Sequence, residues 1–231
     1  MGRMRRVRRV AFGLAVTTLW WAGCQSPGGN VIGRLPDPAL TGVGVGGPLP
    51  GRNPSAGKTP AESSSEATWL PPGGLTRKWT CIIVHHSASR FGSLRDIDRW
   101  HRAKGWDGCG YDFVIGNGTR SPDGRIEVSL RWRKQKTGAH TRIGAKAEKK
   151  KRLTPNYYNE YGIGICLVGE FDKRPPSAKQ KAALARLVRF LTRKCKIPLN
   201  RVVRHGELKS TACPGARFGW KGFKRQVQAL P

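Results

Sequence analysis

The chain has 231 residues, with 43 lysines and arginines against 14 aspartates and glutamates, and a formal net charge of +29. Hydrophobic residues make up 38% of the composition, which is enough for one medium-sized folded domain and excludes a wholly disordered chain. No internal repeat indicates a solenoid. The excess of positive charge favours anionic polymers or surfaces as partners, and charge alone does not choose among them.

The amino terminus has the pattern of an export signal. The basic segment 1–10 is followed by an apolar run over residues 11–23, which is too short to span a bilayer comfortably and suits a signal peptide. The tripeptide Ala22-Gly23-Cys24 resembles the bacterial lipobox, although Trp21 stands where leucine is usual. We therefore predict a signal peptide over residues 1–23.

Cys24 is the predicted lipidation site, and acyl chains on it would anchor the protein to a membrane. The prediction is an exported lipoprotein of a bacterial cell envelope, in the periplasm or at the outer membrane. Ordinary secretory cleavage and an uncleaved single-pass anchor are the alternatives. Residues 24–74, rich in Gly, Pro and Ser, favour a flexible linker, which leaves residues 75–231 for the folded domain.

Within residues 75–231, apolar runs alternate with amphipathic segments, which indicates the α/β class. Ser93 is suited to cap a helix in which Leu94, Ile97 and Trp100 recur near helical spacing, and Ser177 with Gln180 forms a capping-box pattern before a long helix. We predict a mixed central sheet flanked by helices, with strands over 79–86, 111–117, 126–131, 162–169 and 201–204 and a last helix over 223–229.

Three residues have the chemistry of a metal site with an open position. His85 ends the first predicted strand, while His205 and Cys213 follow the last one. Soft and borderline ligands of this kind indicate zinc, and three protein ligands leave a fourth position for a water that can attack a substrate. His86 adjoins His85, and neighbouring residues of a strand point to opposite faces, so only one of the two can readily face the metal.

Six ordered segments around these residues resemble the zinc-dependent N-acetylmuramoyl-L-alanine amidases, a family that includes coliphage lysozymes, bacterial autolysins and animal peptidoglycan recognition proteins. The segments are IIVHHSAS, LRDIDRWHRAKGW, GYDFVIGNG, TGAH, NEYGIGICLVGEFD and VVRHGELKSTACPG. The resemblance implies the peptidoglycan-recognition fold, with Zn²⁺ held by His85, His205 and Cys213. It also implies hydrolysis of the amide between N-acetylmuramic acid and L-alanine in peptidoglycan or muropeptides.

The same resemblance assigns further site residues. Tyr111 matches a tyrosine near the metal water, and His140 and Asn159 match positions that line the substrate cleft. Thr211 stands where the phage enzymes carry lysine and resembles the recognition proteins; it is a poor base but can donate a hydrogen bond to an oxyanion. His101 is expected to be structural.

Two other functions compete with the amidase. One is a peptidoglycan-binding module without catalysis, which the complete ligand set disfavours. The other is nucleic-acid binding driven by charge, which the export signal and the lack of a recognisable nucleic-acid-binding module disfavour. The protein is expected to be a monomer.

The basic stretch GAKAEKKKRLTPNYYN is either an insertion near the site or a solvated charge run. The four remaining cysteines allow up to two disulfides with no pairing favoured, although Cys81 and Cys166 also suit buried thiols.

Overall fold

The computed structural model describes residues 66–231. The predicted signal peptide, the lipidation site Cys24 and residues 24–65 of the predicted linker lie outside the described residues. No helix in the described part of the chain is both long enough and apolar enough to cross a membrane.

A five-stranded mixed sheet forms the centre of the domain, in the order β3-β2-β4-β1-β5. The strands are β1 (Cys81–His86), β2 (Phe113–Ile115), β3 (Ile126–Val128), β4 (Gly162–Leu167) and β5 (Val202–Arg204). β1 pairs in parallel with both β4 and β5, β2 pairs in parallel with β4, and β3 is antiparallel to β2. The predicted fold class is confirmed.

Seven α-helices that lie entirely within the described residues accompany the sheet. They are α1 (Leu94–Arg102), α2 (Leu130–Arg133), α3 (Ala145–Lys150), α4 (Tyr157–Glu160), α5 (Ala178–Lys194), α6 (His205–Leu208) and α7 (Trp220–Gln228). The predicted caps are present: the Ser93 side chain accepts a hydrogen bond from Asp96 N, and Ser177 and Gln180 form a capping box.

All five predicted strands were too long, by one to four residues, and the prediction over 126–131 also runs into a helix. Residues 126–131 do not form one strand, because β3 ends at Val128 and α2 begins at Leu130. Ser129 makes the break: its hydroxyl accepts a hydrogen bond from Trp132 N at 3.2 Å and caps the short helix. The change of direction turns Arg131 and Trp132 into the interior.

The linker boundary at residue 74 was also wrong. Trp69 is only 4% exposed and packs edge-to-face against Phe190 of α5, with ring centroids 5.3 Å apart. Its carbonyl accepts a hydrogen bond from the Trp132 indole at 2.7 Å. An aromatic side chain of this size buries a large apolar area, so the domain begins before residue 75, at or before Trp69.

The two faces of the sheet have different roles. Ile82 and Val84 of β1 point to one face, where they share a core cluster with Leu184, Leu187 and Leu191 of α5. Cys81 and Ile83 point to the other face and pack against Tyr158 of α4. His85 is the next residue on this second face, called the site face below.

Candidate metal centre

Three elements bring the predicted ligands together. His85 lies near the carboxyl end of β1, and His205 begins α6 directly after β5. Because Val84 pairs with Arg204 in the parallel β1–β5 register, the two histidines that follow lie side by side, with ring centroids 4.5 Å apart. Cys213 returns on the loop after α6, and its Sγ is 3.8 Å from His85 Nδ1.

The three side chains form a compact buried cluster. One ligand atom from each of His85, His205 and Cys213 lies within 4.8 Å of the other two. Each of the three residues is at most 5% exposed. Two imidazole nitrogens and a sulfur are the donors that bind zinc and related divalent ions, and the arrangement fits such an ion.

The ring nitrogens of His205 are the atoms of the cluster that most clearly need a ligand. Both of its ring nitrogens are buried and have no hydrogen-bond partner among the described residues. A buried polar atom without a partner is costly, and native structures rarely tolerate one without a ligand or water. An ion bound to one of these nitrogens would satisfy it.

Burial keeps the histidines of the cluster neutral. It lowers the pKa of His205 to about 4, with a further contribution from the nearby Lys209 charge. Burial also lowers the pKa of His85 well below its ordinary value, and the neighbouring His205 and His140 lower it further. Neutral imidazole is the form that binds a metal, so both rings are ready as ligands at neutral pH.

His140 orients His85 from behind. His85 Nε2 lies 3.1 Å from His140 Nδ1 and 3.3 Å from Thr141 Oγ1, while His140 Nε2 lies 3.2 Å from the Gly162 carbonyl. Since a carbonyl only accepts, the proton of His140 is assigned to Nε2, which leaves Nδ1 to accept from His85. His85 therefore donates through Nε2 and presents the lone pair of Nδ1 towards Cys213.

Cys213 is held by backbone contacts on both sides. Its Sγ accepts a hydrogen bond from His86 N at 3.3 Å, and its carbonyl accepts one from Gly206 N at 2.8 Å. Thr211 is exposed, and its hydroxyl accepts a hydrogen bond from Cys213 N at 3.3 Å. Thr211 thus supports the loop that carries the sulfur, and its catalytic role stays a prediction.

His86 and His101 lie outside the cluster. His86 Nδ1 accepts a hydrogen bond from Phe171 N at 3.3 Å on the opposite face from His85. His101 Nδ1 accepts one from Gly110 N at 2.9 Å, and its ring lies 4.4 Å from that of Trp106. Both rings therefore have structural partners, which the sequence analysis expected for His101.

Tyr111 lies beside the cluster. Its ring is 5.1 Å from that of His85 and 5.6 Å from that of His101, measured between centroids, and the residue is 4% exposed. Tyr111 lies two residues before β2, and β4 separates β2 from β1 in the sheet. A phenol beside the proposed ligands can orient a water or stabilise developing negative charge.

Asn159 and His140 lie beneath the cluster. His140 is 8% exposed and Asn159 is 6% exposed. Asn159 Oδ1 accepts hydrogen bonds from the backbone amides of His140 and Thr141, at 2.9 and 2.8 Å. The structure therefore gives both residues a supporting role for His85, and their contact with substrate stays a prediction.

Two features of this support escaped the sequence analysis. Gly164 of β4 leaves room for the His140 ring, because a Cβ there would lie 2.5 Å from His140 Cδ2. The alternation Gly162-Ile163-Gly164 in an otherwise apolar strand was the available signal. Thr141 had no comparable signal.

Arg131 connects the two loops that carry Tyr111 and His140. The residue is 7% exposed, and its guanidinium donates to the Cys109 carbonyl at 2.7 Å, to the Thr137 carbonyl and to the Asp107 carboxylate. Residues 107–110 lead into Tyr111, and residues 137–139 lead into His140. The buried Arg131 guanidinium, which donates to both loops, therefore fixes the spacing between them.

None of the five cysteines in the described residues forms a disulfide, so the two allowed by the sequence analysis do not form among them. Burial raises the pKa of Cys81 to about 11 and that of Cys109 to about 12. Such thiols are protonated and unreactive at neutral pH. Cys81 and Cys166 are buried thiols in adjacent parallel strands, at positions four residues out of register.

Comparison with known proteins identifies relatives of the whole domain. Residues 75–216 match the family model described as N-acetylmuramoyl-L-alanine amidase. The chain is 29% identical over 148 residues to peptidoglycan-recognition protein LB of Drosophila melanogaster, covering 59% of this chain and 55% of that protein. It is 29% identical over 139 residues to the endolysin of Klebsiella phage KP32, covering 58% of this chain and 78% of the endolysin.

A solved structure has the same fold. The N-acetylmuramoyl-L-alanine amidase LysC from Clostridium intestinale URNW superposes with a TM-score of 0.54 at 25% identity, covering 67% of this chain and 88% of that one. The shared region spans only about half the length of the fly recognition protein, but most of the phage and clostridial proteins.

Proposed function

The chain belongs to the N-acetylmuramoyl-L-alanine amidase family, and we propose that it is a zinc-dependent hydrolase of peptidoglycan. The bond cleaved is the amide that joins N-acetylmuramic acid to the L-alanine of the stem peptide. One observation carries the proposal: His85, His205 and Cys213 form a buried cluster of donors in which both His205 ring nitrogens lack partners among the described residues.

The donor set selects the kind of ion. His85 Nδ1, one nitrogen of His205 and the Cys213 sulfur would hold Zn²⁺ with three protein ligands, which is the number found in catalytic sites. When bound, zinc supplies a Lewis acid for the scissile carbonyl and lowers the pKa of a water. The His86 amide that donates to Cys213 Sγ favours the thiolate form of that ligand.

The remaining residues position these groups and the substrate. His140 and Thr141 hold the His85 ring at Nε2, so Nδ1 keeps a fixed direction towards the metal position. The Tyr111 phenol donates a hydrogen bond to the oxygen that gains negative charge as the amide is attacked. Thr211 is the second hydroxyl available for this purpose, and it also holds the Cys213 loop.

The alternative is a peptidoglycan-binding module without hydrolysis. It is supported by the similarity to a recognition protein, since members of that class are among the relatives. The complete set of three donors favours the enzyme. A module that only binds would not need a buried histidine with two unpartnered nitrogens.

The cellular setting is part of the proposal. We propose export through the signal peptide at residues 1–23 and anchoring through lipid on Cys24, with the domain acting as a monomer in the cell envelope. Metabolic labelling with a radioactive fatty acid tests the anchor: label should appear on the full chain and be absent from Cys24→Ala. Label of equal intensity on both proteins would exclude Cys24 as the site.

The proposed reaction is tested by digestion of purified peptidoglycan sacculi with the full chain, with and without a chelator. Mass spectrometry should detect free peptides that begin with L-alanine, and the chelator should abolish them. Restoring zinc should restore release. Binding to sacculi without release, in protein shown to contain zinc, would favour the binding module instead.

A further inference from the structure

A dense group of cations lies on a segment that neither the sheet nor the metal cluster requires. Residues 142–152, RIGAKAEKKKR, contain six lysines and arginines and one acid, and α3 occupies the middle of the segment. All six cationic residues are exposed: Arg142, Lys146, Lys149, Lys150, Lys151 and Arg152. We call this group the cationic patch.

The one acid of the segment does not neutralise the cationic patch. Glu148 is 8% exposed and faces inward, where its Oε1 accepts a hydrogen bond from Asn156 N at 2.7 Å. It has no ion pair with the lysines of its own segment among the salt bridges of the described residues. The Glu148 carboxylate therefore binds the backbone of its own loop, and the six cationic side chains face solvent.

The segment is fixed to the site face of the sheet. Ile143, within the segment, and Leu153, directly after it, pack on the cluster formed by Cys81, Ile83 and Tyr158. Leu208 of α6 joins the same cluster, and α6 is the helix that begins with His205. The loop and the helix that carries a proposed metal ligand therefore pack on the same buried cluster.

The contacts that hold the segment lie close to the metal cluster. Ile83 and Cys81 precede His85 on the same face by two and four residues, which is about 7 and 13 Å at about 3.3 Å per residue. The amino-terminal end of the segment is closer still, since Thr141, which directly precedes Arg142, has its Oγ1 3.3 Å from His85 Nε2. A polymer that occupies the site therefore passes close to this segment, and exposed charges attract a polyanion over a Debye length of about 10 Å at 0.1 M salt.

We propose that the cationic patch is a docking surface for intact peptidoglycan, which it binds through the carboxylates of neighbouring stem peptides. This rests on the proposed function, because the polymer being docked is the substrate. A glycan strand of peptidoglycan bears a stem peptide on many of its sugars. When one stem peptide occupies the metal cluster, other stem peptides of the same glycan strand lie within reach of the cationic patch. A single soluble muropeptide has no second stem to offer.

The role is therefore selective for polymer over fragment. Several weak contacts on one polymer raise its local concentration at the site, and each contact is weakened by salt. Hydrolysis of intact sacculi should depend on the cationic patch, and hydrolysis of a one-stem muropeptide should not.

The experiment compares two triple variants of the full chain. Lys149→Gln, Lys150→Gln and Lys151→Gln remove three charges from the cationic patch. Lys179→Gln, Lys194→Gln and Lys221→Gln remove three exposed charges from α5 and α7, which belong to the core on the opposite face of the sheet. The two proteins have the same net charge, so they differ only in where the charge is lost.

Co-sedimentation with sacculi stripped of phosphate polymers, in the presence of a chelator, measures docking without cleavage. The patch variant should bind about tenfold more weakly at low salt, and the control variant should bind like the parent protein. Raising the salt should weaken the parent towards the patch variant. Sacculi whose carboxylates have been converted to amides should bind the parent as weakly as untreated sacculi bind the patch variant.

The proposal would be overturned by equal binding of the two triple variants, by undiminished binding of the parent to amidated sacculi, or by equal loss of one-stem muropeptide hydrolysis and sacculus hydrolysis in the patch variant. Tighter binding of the parent to a phosphate polymer than to sacculi would also overturn it, in favour of a different anion. If the parent hydrolyses neither substrate, the proposed reaction fails, and the co-sedimentation results still decide the docking surface.

Discussion

The unpartnered nitrogens of His205 and the sulfur of Cys213 give the most direct test of the metal centre. Cys213→Ser replaces a thiolate by a weak neutral ligand, and His205→Ala removes a nitrogen donor. Loss of an outer-shell partner alone lowers metal affinity by about 10- to 100-fold, so loss of either ligand should lower zinc affinity by more than about 100-fold. Equilibrium dialysis against zinc measures this, and hydrolysis of sacculi should be lost with the metal.

The matched control for these variants is Cys195→Ala. Cys195 is a half-buried free thiol at the end of α5, outside the metal cluster. Its removal should leave zinc content and hydrolysis unchanged. A Cys213→Ser protein that keeps both zinc and activity would refute the proposed ligand set.

Tyr111→Phe separates chemistry from metal binding. The substitution keeps the ring that packs beside His85 and removes only the hydroxyl. Removal of one hydrogen-bond donor to a developing oxyanion costs about 10²- to 10³-fold in kcat, so a loss near 10²-fold is expected with zinc content unchanged. Steady-state kinetics on a soluble muropeptide is the measurement, and a kcat equal to that of the parent would leave Tyr111 with a packing role.

The three ligands were predictable from the sequence, but the supporting residues were not. His85, His205 and Cys213 are metal-binding residue types, and the six ordered segments around them carried the prediction. His140 was expected in the substrate cleft, whereas the structure places its Nδ1 3.1 Å from His85 Nε2. A contact between side chains 55 residues apart depends on loop paths that residue types do not specify.

The loops before Tyr111 and His140 depend on Arg131. Arg131→Met keeps much of the apolar stem and leaves the Cys109 and Thr137 carbonyls without their charged donor. Each buried group that loses its partner costs about 1–3 kcal/mol, so the free energy of unfolding should fall by about 2–4 kcal/mol. Urea denaturation followed by tryptophan fluorescence measures the change.

Asp107→Asn is the companion to that variant. Asp107 also binds Arg131, but its side chain is 56% exposed, and exposed ion pairs contribute at most about 1 kcal/mol. The loss on Asp107→Asn should therefore stay below that of Arg131→Met. If the two losses are equal, the carbonyl contacts do not hold the loops.

Elements with a strong local pattern were predicted well, and those decided by tertiary packing were not. The capping box at Ser177 and the periodic leucines are local signals that predict α5 without knowledge of its tertiary contacts. The strand predicted over 126–131 fails at Ser129, where a single side-chain hydrogen bond starts α2 and turns Arg131 inward. Trp69 lies in a sequence that resembles a linker, and only its contact with Phe190 shows that it belongs to the core.

At the scale of the whole molecule, the alternation of strands and helices indicates the α/β class, but the order β3-β2-β4-β1-β5 does not follow from it. The pairing of β1 with β4 and β5 joins segments about 80 and 120 residues apart in the sequence. Hydrophobic periodicity is a local pattern and does not indicate which distant segments pair. The family resemblance supplied this information. The same pairing brings His85 and His205 together, so the site depends on the least predictable part of the fold.

Buried titratable groups give the metal-free protein a stability that depends on pH. Burial lowers the pKa of His101 to about 4, that of His140 to about 3 and that of His205 to about 4, below the ordinary value of 6.5. Burial has the opposite sign of effect on Asp112, whose pKa rises from 3.8 to about 7. These shifts act against each other between pH 4 and 6.5.

The sign of the net effect follows from counting protons. In that window the unfolded chain binds a proton at each of the three histidines and the folded protein does not, whereas only Asp112 binds a proton in the folded protein alone. The unfolded state therefore binds more protons, and the free energy of unfolding should fall as the pH falls from about 6.5 towards 4. Urea denaturation across this range, with a chelator present, measures the slope.

Two variants with opposite effects check the assignment. His101→Gln removes one histidine that resists protonation, so the slope should become shallower by at most about 1.4 kcal/mol per pH unit. Asp112→Asn removes the one opposing group, so the slope should become steeper. Stability of the parent that rises on acidification through this window would mean that the histidines are not buried in neutral form, and that the cluster around His205 is open to water.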